Sequence, residues 1–154
     1  MLNPQIYDII IKNKRGINIV REIVRDPMFL QRKSVDASMA DMPVAIDLLD
    51  TLKANFEGCV GMAANMIGVS KRIIAVSDNG KYILMFNPEI IKGYGEYETE
   101  EGCLSLDGER KTKRFKTIKV KYTTDKFKTT TRTFTDFTSQ IIQHEIDHCN
   151  GILI

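Results

Sequence analysis

The chain has 154 residues, of which 43% are hydrophobic and 27% charged, and its 22 basic and 20 acidic side chains leave a net charge of +2. This length suits a single domain, and the mixture excludes a disordered tail, a collagenous repeat and a coiled coil. The charge gives no reason to expect specific binding to nucleic acid or to an anionic membrane.

Neither a signal peptide nor a membrane-spanning segment is expected. No apolar run approaches the roughly 20 residues that span a bilayer. The short run Ile9–Ile11 follows Asp8 and precedes no small-residue cleavage site, unlike a secretory signal. Because the three cysteines are odd in number and widely spaced, as in a reducing compartment, we expect a cytoplasmic protein.

The first part of the chain is expected to contain an appended segment and one helix. Residues 1–20 carry a loose helical pattern that is broken at Gly16, so we predict an N-terminal extension there and a single domain at residues 21–154. Residues 42–54 place their apolar side chains on one helical face, and Pro43 suits the first turn. A helix is therefore predicted at 42–54.

The middle of the chain is predicted to be β-structure. Residues 72–76 and 82–86 are apolar runs separated by Asp-Asn-Gly, which is typical of a β-hairpin. Residues 117–123 alternate apolar and basic side chains, as in a half-buried strand, and residues 129–134 are rich in β-branched side chains. A solvated strand face is favoured over a binding patch for the basic run Lys111, Lys113, Arg114, Lys116, Lys119 and Lys121.

The last predicted element is a helix. Thr135 or Asp136 can cap a helix that runs to about Cys149, and Gly151 supplies the stop signal. The element order is then helix, several strands and a closing helix. This order predicts an α+β fold in which a mostly antiparallel sheet packs against the C-terminal helix.

The only two histidines of the chain, His144 and His148, lie four residues apart on this helix, with Glu145 directly after the first. Residues i and i+4 share a helical face, so both imidazoles can reach one metal ion, while the glutamate can reach a water without being a ligand. A catalytic metal needs a third protein ligand. Because neither His nor Glu follows His148, we expect that ligand upstream, with a thiolate as the best candidate.

Residues 100–105 are Glu-Glu-Gly-Cys-Leu-Ser, and at this point the sequence resembles the peptide deformylase family. The family motif E-G-C-L-S occurs as Glu101–Ser105, and H-E-x-D-H occurs as His144–His148. The motif G-φ-G-φ-A-A-x-Q-φ-G, where φ is hydrophobic, corresponds in degenerate form to Cys59–Gly68. The resemblance extends from about Ile23 to the C-terminus, and it implies an α+β fold with mostly antiparallel sheets packed around a C-terminal metal-binding helix.

The resemblance implies one divalent metal ion held by Cys103, His144 and His148. Fe²⁺ is the expected ion, and this donor set also accepts Zn²⁺, Ni²⁺ or Co²⁺. The implied reaction removes the N-formyl group from formyl-methionyl peptides and nascent chains and releases formate. Glu145 would take the proton of the attacking water and pass it to the leaving amine, and the Leu104 backbone N–H would stabilise the oxyanion. A transient contact with the ribosome is implied as well, although docking through a C-terminal helix is not expected because six residues follow the last histidine.

Further roles are implied around the ligands. Asp147 is expected to orient the helix through a basic partner, either Arg110 or Arg114, and Glu101 to hold a ligand from behind. An apolar pocket for the methionine side chain is implied at Val60, Gly61 and Ile141. For Ile141, plain packing in the core is an equally good interpretation.

The first motif departs from the family at two positions. Cys59 replaces a glycine, and Met66 replaces a substrate-binding glutamine whose amide donates to the oxyanion in the family. A thioether has no proton to donate, and losing one such donor typically costs about 10²–10³ in rate. Asn65 carries an amide one position away, but the sequence does not set its direction. Cys59 and Cys149 are expected to be buried free thiols.

The prediction is therefore a deformylase of reduced activity, and two alternatives remain open at this point. Met66 would also fit a hydrolase of other N-acyl peptides on the same scaffold. A metal-binding homologue that does not deformylate would keep the three ligands too. The intact Glu145 argues against a pure binder, which needs no general base.

Overall fold

The computed structural model describes residues 19–154, so most of the extension predicted at residues 1–20 lies outside the described residues. Within this range a single sheet contains five strands, which are antiparallel and follow chain order. The elements are α1 (Pro27–Leu30), a 3₁₀ turn (Met39–Asp41), α2 (Met42–Ala54), β1 (Gly61–Ala63), a second 3₁₀ turn (Ala64–Ile67), β2 (Ile73–Asp78), β3 (Lys81–Cys103), β4 (Leu106–Thr123), β5 (Thr129–Thr135) and α3 (Asp136–Cys149). The predicted α+β class, with its closing helix, is confirmed.

The predicted hairpin joins β2 to β3. Asn79 and Gly80 both have positive φ, at 51° and 87°, which is the backbone of the two-residue turns that match strand twist. The two strands pair from Asp78 opposite Lys81 to Ile73 opposite Phe86. The Asp-Asn-Gly signal therefore located the turn correctly.

Strands β3 and β4 are much longer than the sequence patterns predicted. Their far ends form a ribbon in which acidic side chains of β3 lie opposite basic ones of β4, as at Glu98 and Lys113 or Glu100 and Lys111. Such pairs stabilise a ribbon without any apolar alternation, so the usual strand signal is missing. The basic run is thus the partner of an acidic strand, with buried Arg114 as the exception to its predicted solvent exposure.

The two faces of the sheet carry separate cores. Strand β2 is buried on both faces: Ile74 and Val76 pack in the cluster that includes α3, while Ile73 and Ala75 pack in the cluster that includes α2. Helix α2 has the predicted bounds, and its apolar face enters the second cluster. The sheet is therefore held between the two helices, with α3 positioned rigidly on one face.

Helix α3 begins and ends where it was predicted, but its start is fixed differently. Thr135 is the N-cap residue, and its side chain makes no capping hydrogen bond. Instead the Thr138 hydroxyl donates to Asp78 at 2.9 Å and the Ser139 hydroxyl donates to the Phe115 carbonyl at 2.9 Å, which ties the first turn to the sheet. Gly151 follows the helix with φ at +73°, and the nearby backbone of Gln31 leaves no space for a Cβ. Within residues 19–154, no helix is long and apolar enough to cross a membrane.

Candidate metal centre and active-site cavity

The two histidines of α3 meet Cys103 at the end of β3. His144 Nε2 lies 3.2 Å from His148 Nε2, and His148 Nε2 lies 3.2 Å from Cys103 Sγ. One ligand atom from each of the three residues lies within 4.8 Å of the other two. The i, i+4 spacing and the tight turn between β3 and β4 thus bring together the three residues predicted as ligands.

These separations fit a single transition-metal ion. Around a tetrahedral ion with bonds of about 2.0–2.3 Å to nitrogen and sulfur, the ligand atoms lie roughly 3.3–3.6 Å apart. One thiolate and two imidazoles suit Fe²⁺, Zn²⁺, Ni²⁺ or Co²⁺, whereas Mg²⁺ and Ca²⁺ take oxygen ligands. Among residues 19–154 no fourth His, Cys, Asp or Glu joins the group, which leaves a coordination position for a water or a substrate.

The two imidazoles differ in their affinity for protons. Burial lowers the pKa of His144, but hydrogen bonds to Cys103 and Glu101 outweigh this and raise the pKa to about 10. Burial and the adjacent positive charge of His144 lower the pKa of His148 to about 3. His148 is therefore neutral and has a ring-nitrogen lone pair available for coordination, whereas His144 must release the proton on its Nε2 before that nitrogen can bind a metal ion.

Glu101 lies behind His144, as the sequence predicted. Its Oε1 is 3.0 Å from His144 Nδ1, so the ring donates there and turns Nε2 toward Cys103 and His148. Burial raises the pKa of Glu101, but hydrogen bonds from His144, Arg114 and Gln140 outweigh it and lower the pKa to about 2. The carboxylate is therefore ionised at any pH near neutrality.

Arg114 connects this carboxylate to helix α3. Its Nη2 donates to Glu101 Oε1 at 2.7 Å, and its Nη1 donates to Asp147 Oδ2 at 2.8 Å. The structure thus selects Arg114 over Arg110 as the basic partner of Asp147. The guanidinium is only 5% exposed, so this ion pair is shielded from solvent and restrains the helix that carries both histidines.

Glu145 lies next to the metal-ligand cluster without belonging to it. The residue is buried, and its Oε2 has no hydrogen-bond partner in the described part of the chain. Burial raises the pKa of this carboxyl to about 7, with the charge of His144 acting in the opposite direction. Gly61 packs against it so closely that a Cβ there would lie 3.1 Å from Glu145 Oε1. A carboxyl group with a free oxygen beside a metal position is suited to accept a proton.

A cavity of about 530 Å³ opens onto this cluster. Its lining contains the predicted positions Val60, Gly61, Met66, Leu104 and Ile141, together with Cys103, His144 and Glu145. His148 is fully buried and lies behind the lining. The structure therefore gathers every residue that the sequence proposed for catalysis or substrate binding around one space.

The missing glutamine amide is not replaced by its neighbours in the chain. Met66 is 1% exposed, and its Sδ accepts the Ala63 N–H at 3.5 Å. Asn65 Nδ2 donates to the His148 carbonyl at 3.0 Å, on the side of helix α3, and Asn65 is absent from the cavity lining. Neither side chain offers an N–H donor to the cavity.

The cavity lining also includes Arg25, Phe137 and Gln140, which the sequence interpretation missed, and Cys59, which was expected to be buried but is only partly so. Gln140 precedes His144 by four residues, and this helical spacing was the signal that could have revealed it. Cys59 Sγ donates to the Gly61 carbonyl at 2.9 Å. Burial, followed by repulsion from Glu145, raises the pKa of this thiol to about 12, so it stays protonated. Cys149, in contrast, packs in the core as expected.

Comparisons with known proteins agree with the motif resemblance. A family model described as "Polypeptide deformylase" matches residues 20–154. A peptide deformylase of Clostridium beijerinckii is 52% identical over 136 residues, which cover 88% of this chain and 100% of that protein. A peptide deformylase structure from Legionella pneumophila has a TM-score of 0.79 at 32% identity, covering 87% of this chain and 83% of that chain. A Met-Ala-Ser-bound class I type b peptide deformylase from Acinetobacter baumannii has a TM-score of 0.80 at 28% identity, covering 88% and 97% of the two chains.

Proposed function

The chain belongs to the polypeptide deformylase family, and from this premise we propose how its described residues remove the N-formyl group of formyl-methionyl peptides. The observation that carries the proposal is the cluster of Cys103, His144 and His148 at the cavity, with the free carboxyl oxygen of Glu145 beside it. This arrangement supplies ligands, a proton acceptor and space for a peptide end.

We assign Cys103, His144 and His148 as the ligands of one divalent metal ion and propose Fe²⁺ as the ion. When bound, such an ion would supply Lewis-acid chemistry, polarising a carbonyl oxygen and acidifying a water. The His144–Glu101 hydrogen bond supports this assignment, because a carboxylate behind a ligating imidazole fixes its tautomer and orientation. Removing the ion should therefore abolish activity without unfolding the two cores.

The chain's own residues would handle the protons and the developing charge. Glu145 accepts a proton from the water whose oxygen bonds to the formyl carbon. It then delivers that proton to the amine nitrogen as the carbon–nitrogen bond breaks, and formate and a free amino terminus result. The Leu104 backbone N–H donates to the oxyanion between these two events. Burial of Glu145 removes competing solvent from the path of the proton.

The cavity walls would hold the peptide. Val60 and Ile141 provide apolar surface for the methionine side chain, and Phe137, 60% exposed at the rim, extends that surface outward. The similarity to the Met-Ala-Ser-bound relative supports a peptide of this class as the ligand. We therefore propose peptides and nascent chains with an N-terminal formyl-methionine as substrates, met during transient contact with the ribosome.

We also propose a cytoplasmic location and one catalytic domain at residues 21–154, with residues 1–20 as an extension. The family match, which begins at residue 20, supports this boundary. The three cysteines are free in the structure, which supports a reducing compartment.

The test is formate release from formyl-Met-Ala-Ser by anaerobically purified protein loaded with Fe²⁺ or Ni²⁺. Glu145→Gln keeps the size of the side chain but removes its basicity, and it should lower kcat by about 10²–10⁴. Glu89→Gln, at an exposed residue that does not line the cavity, is the matched control and should retain full activity.

Two outcomes would contradict the proposal. Formate release that survives Glu145→Gln would exclude this residue as the proton acceptor. Metal-loaded protein that binds formyl-Met-Ala-Ser without any turnover would instead be a binder or an enzyme for another acyl group, which acetyl-Met-Ala-Ser and longer acyl peptides would distinguish.

A further inference from the structure

The carboxylate of Glu101 is held from three directions, and only part of that arrangement is explained by the ion pair. Oε1 faces His144 Nδ1 and Arg114 Nη2, whereas Oε2 accepts from Arg114 Nε at 3.0 Å and from Gln140 Nε2 at 2.9 Å. Without Gln140, Oε2 would accept a hydrogen bond from Arg114 alone. The amide therefore completes the shell of donors around the carboxylate.

The orientation of the Gln140 amide is itself fixed. The Tyr97 hydroxyl, on β3, donates to Gln140 Oε1 at 3.3 Å. Because that oxygen is occupied by a donor, the opposite end of the amide, Nε2, is directed at Glu101. Burial and the charge of Glu101 raise the pKa of Tyr97, so the phenol keeps the proton that it donates. A continuous line of hydrogen bonds thus runs from Tyr97 through Gln140 and Glu101 to His144.

These hydrogen bonds connect strand β3 to helix α3, whose relative position must be fixed if the three ligands are to meet. Gln140, His144 and Asp147 lie at positions i, i+4 and i+7 of α3, on one side of the helix, and Glu101 reaches all three, the last one through Arg114. Tyr97 and Glu101 both belong to β3, which continues to Cys103. The hydrogen bonds therefore connect the strand that ends in the thiol to the helix that carries the two imidazoles.

We propose that Gln140, oriented by Tyr97, is a positioning residue for the His144 ligand and acts through the Glu101 carboxylate. Loss of the Gln140 donor would let the carboxylate rotate, so that Oε1 no longer holds His144 Nδ1 in place. Partners behind metal ligands typically contribute 10–100-fold to metal affinity. This inference rests on the proposed function in one respect, namely that the three residues bind a metal ion.

The experiment measures Co²⁺ binding rather than turnover. Metal-free protein is titrated with Co²⁺ against a chromogenic chelator, and the visible d–d absorption of the bound ion reports its coordination geometry. Gln140→Met removes the donor at similar size and should raise the Co²⁺ dissociation constant at least tenfold and change the d–d bands. Gln140→Glu places a second carboxylate beside Glu101 and should raise the Co²⁺ dissociation constant further. Tyr97→Phe, which only frees the Gln140 amide to rotate, should raise the Co²⁺ dissociation constant about threefold.

Gln143→Met is the matched control on the same helix. Gln143 is a buried glutamine that hydrogen-bonds to the Phe115 backbone and to Ser139 and makes no hydrogen bond to Glu101. This substitution should lower the Tm of the metal-free protein while the Co²⁺ dissociation constant stays within about twofold of the wild type. Gln140→Met should raise the Co²⁺ dissociation constant whether or not it also lowers Tm, and a purely structural role, as at Gln143, would change Tm alone.

Two results would overturn the inference in distinguishable ways. If the unsubstituted protein binds Co²⁺ but Gln140→Met binds it equally well with unchanged d–d bands, the positioning role is wrong and the proposed metal site stands. If the unsubstituted protein binds no Co²⁺, the ligand assignment fails and the positioning role fails with it.

Discussion

Replacing Met66 with glutamine tests whether one missing oxyanion donor limits this enzyme. Met66 lines the cavity, and its Sδ accepts the Ala63 N–H. A glutamine has an acceptor and a donor on the same group, so Oε1 can take over the Ala63 contact while Nε2 faces the cavity. Asn65 does not already supply this donor, because its side chain is absent from the cavity lining and its Nδ2 donates to the His148 carbonyl.

The expected gain is large and has a measurable cost. One oxyanion donor is worth about 10²–10³ in kcat, or roughly 2.7–4 kcal/mol of transition-state stabilisation. Met66 is 1% exposed and packs among apolar side chains. An amide there that is incompletely bonded in the peptide-free protein costs about 1–3 kcal/mol of stability. We therefore expect Met66→Gln to raise kcat about 10²-fold and to lower Tm.

The assay is the initial rate of formate release from formyl-Met-Ala-Ser at saturating peptide, with metal content measured in each sample. Met66→Leu is the control, because it keeps the apolar volume and offers no donor, and it should gain nothing. A rise of less than about threefold for Met66→Gln, at full metal occupancy, would refute the idea that a missing donor limits the rate.

Arg114→Met leaves two carboxylates without their cation and should lower the free energy of unfolding by about 3–5 kcal/mol in urea titrations. Lys113→Met, at an exposed ion pair on the same strand, should change the free energy of unfolding by less than about 0.5 kcal/mol. Equal losses of stability in the two variants would contradict the conclusion that burial makes the Arg114 ion pairs important. Gly61→Ala would place a Cβ 2.6 Å from Ile141 Cγ2 and should cost about 1–3 kcal/mol. Gly58→Ala has no atom within 4 Å of its Cβ and should be neutral; a comparable loss there would show that crowding does not explain the loss at Gly61.

The sequence predicted the parts of the site that depend on local spacing. His144 and His148 share a helical face because residues four apart lie about one turn apart on an α-helix. The Asn79-Gly80 turn follows from backbone conformations that few residue types other than Asn and Gly adopt. These features require no knowledge of the tertiary structure. For this reason the helix bounds of α3 and the hairpin were predictable to within a residue or two.

Contacts between distant elements were not predictable in the same way. Arg110 lies directly opposite Glu101 in the β3–β4 register, yet the carboxylate bonds to Arg114, which lies opposite Tyr97. The sequence left Arg110 and Arg114 undecided as the partner of Asp147, and strand pairing alone would have selected the wrong partner for Glu101. Helix α3 places Asp147 where Arg114 bonds to it and to Glu101 together, and no short-range pattern encodes this tertiary contact.

The two departures from the first motif act on one wall of the cavity only. Cys59 Sγ donates to the Gly61 carbonyl and Met66 Sδ accepts the Ala63 N–H, so both sulfur side chains bond to the backbone of β1. The metal ligands and Glu145 belong to other elements, α3 and the end of β3. Since charge stabilisation and water activation are separate contributions to the barrier, changes confined to β1 and the residues next to it should lower turnover while leaving metal affinity intact. A slow enzyme with full metal occupancy is the behaviour that this division of the cavity predicts.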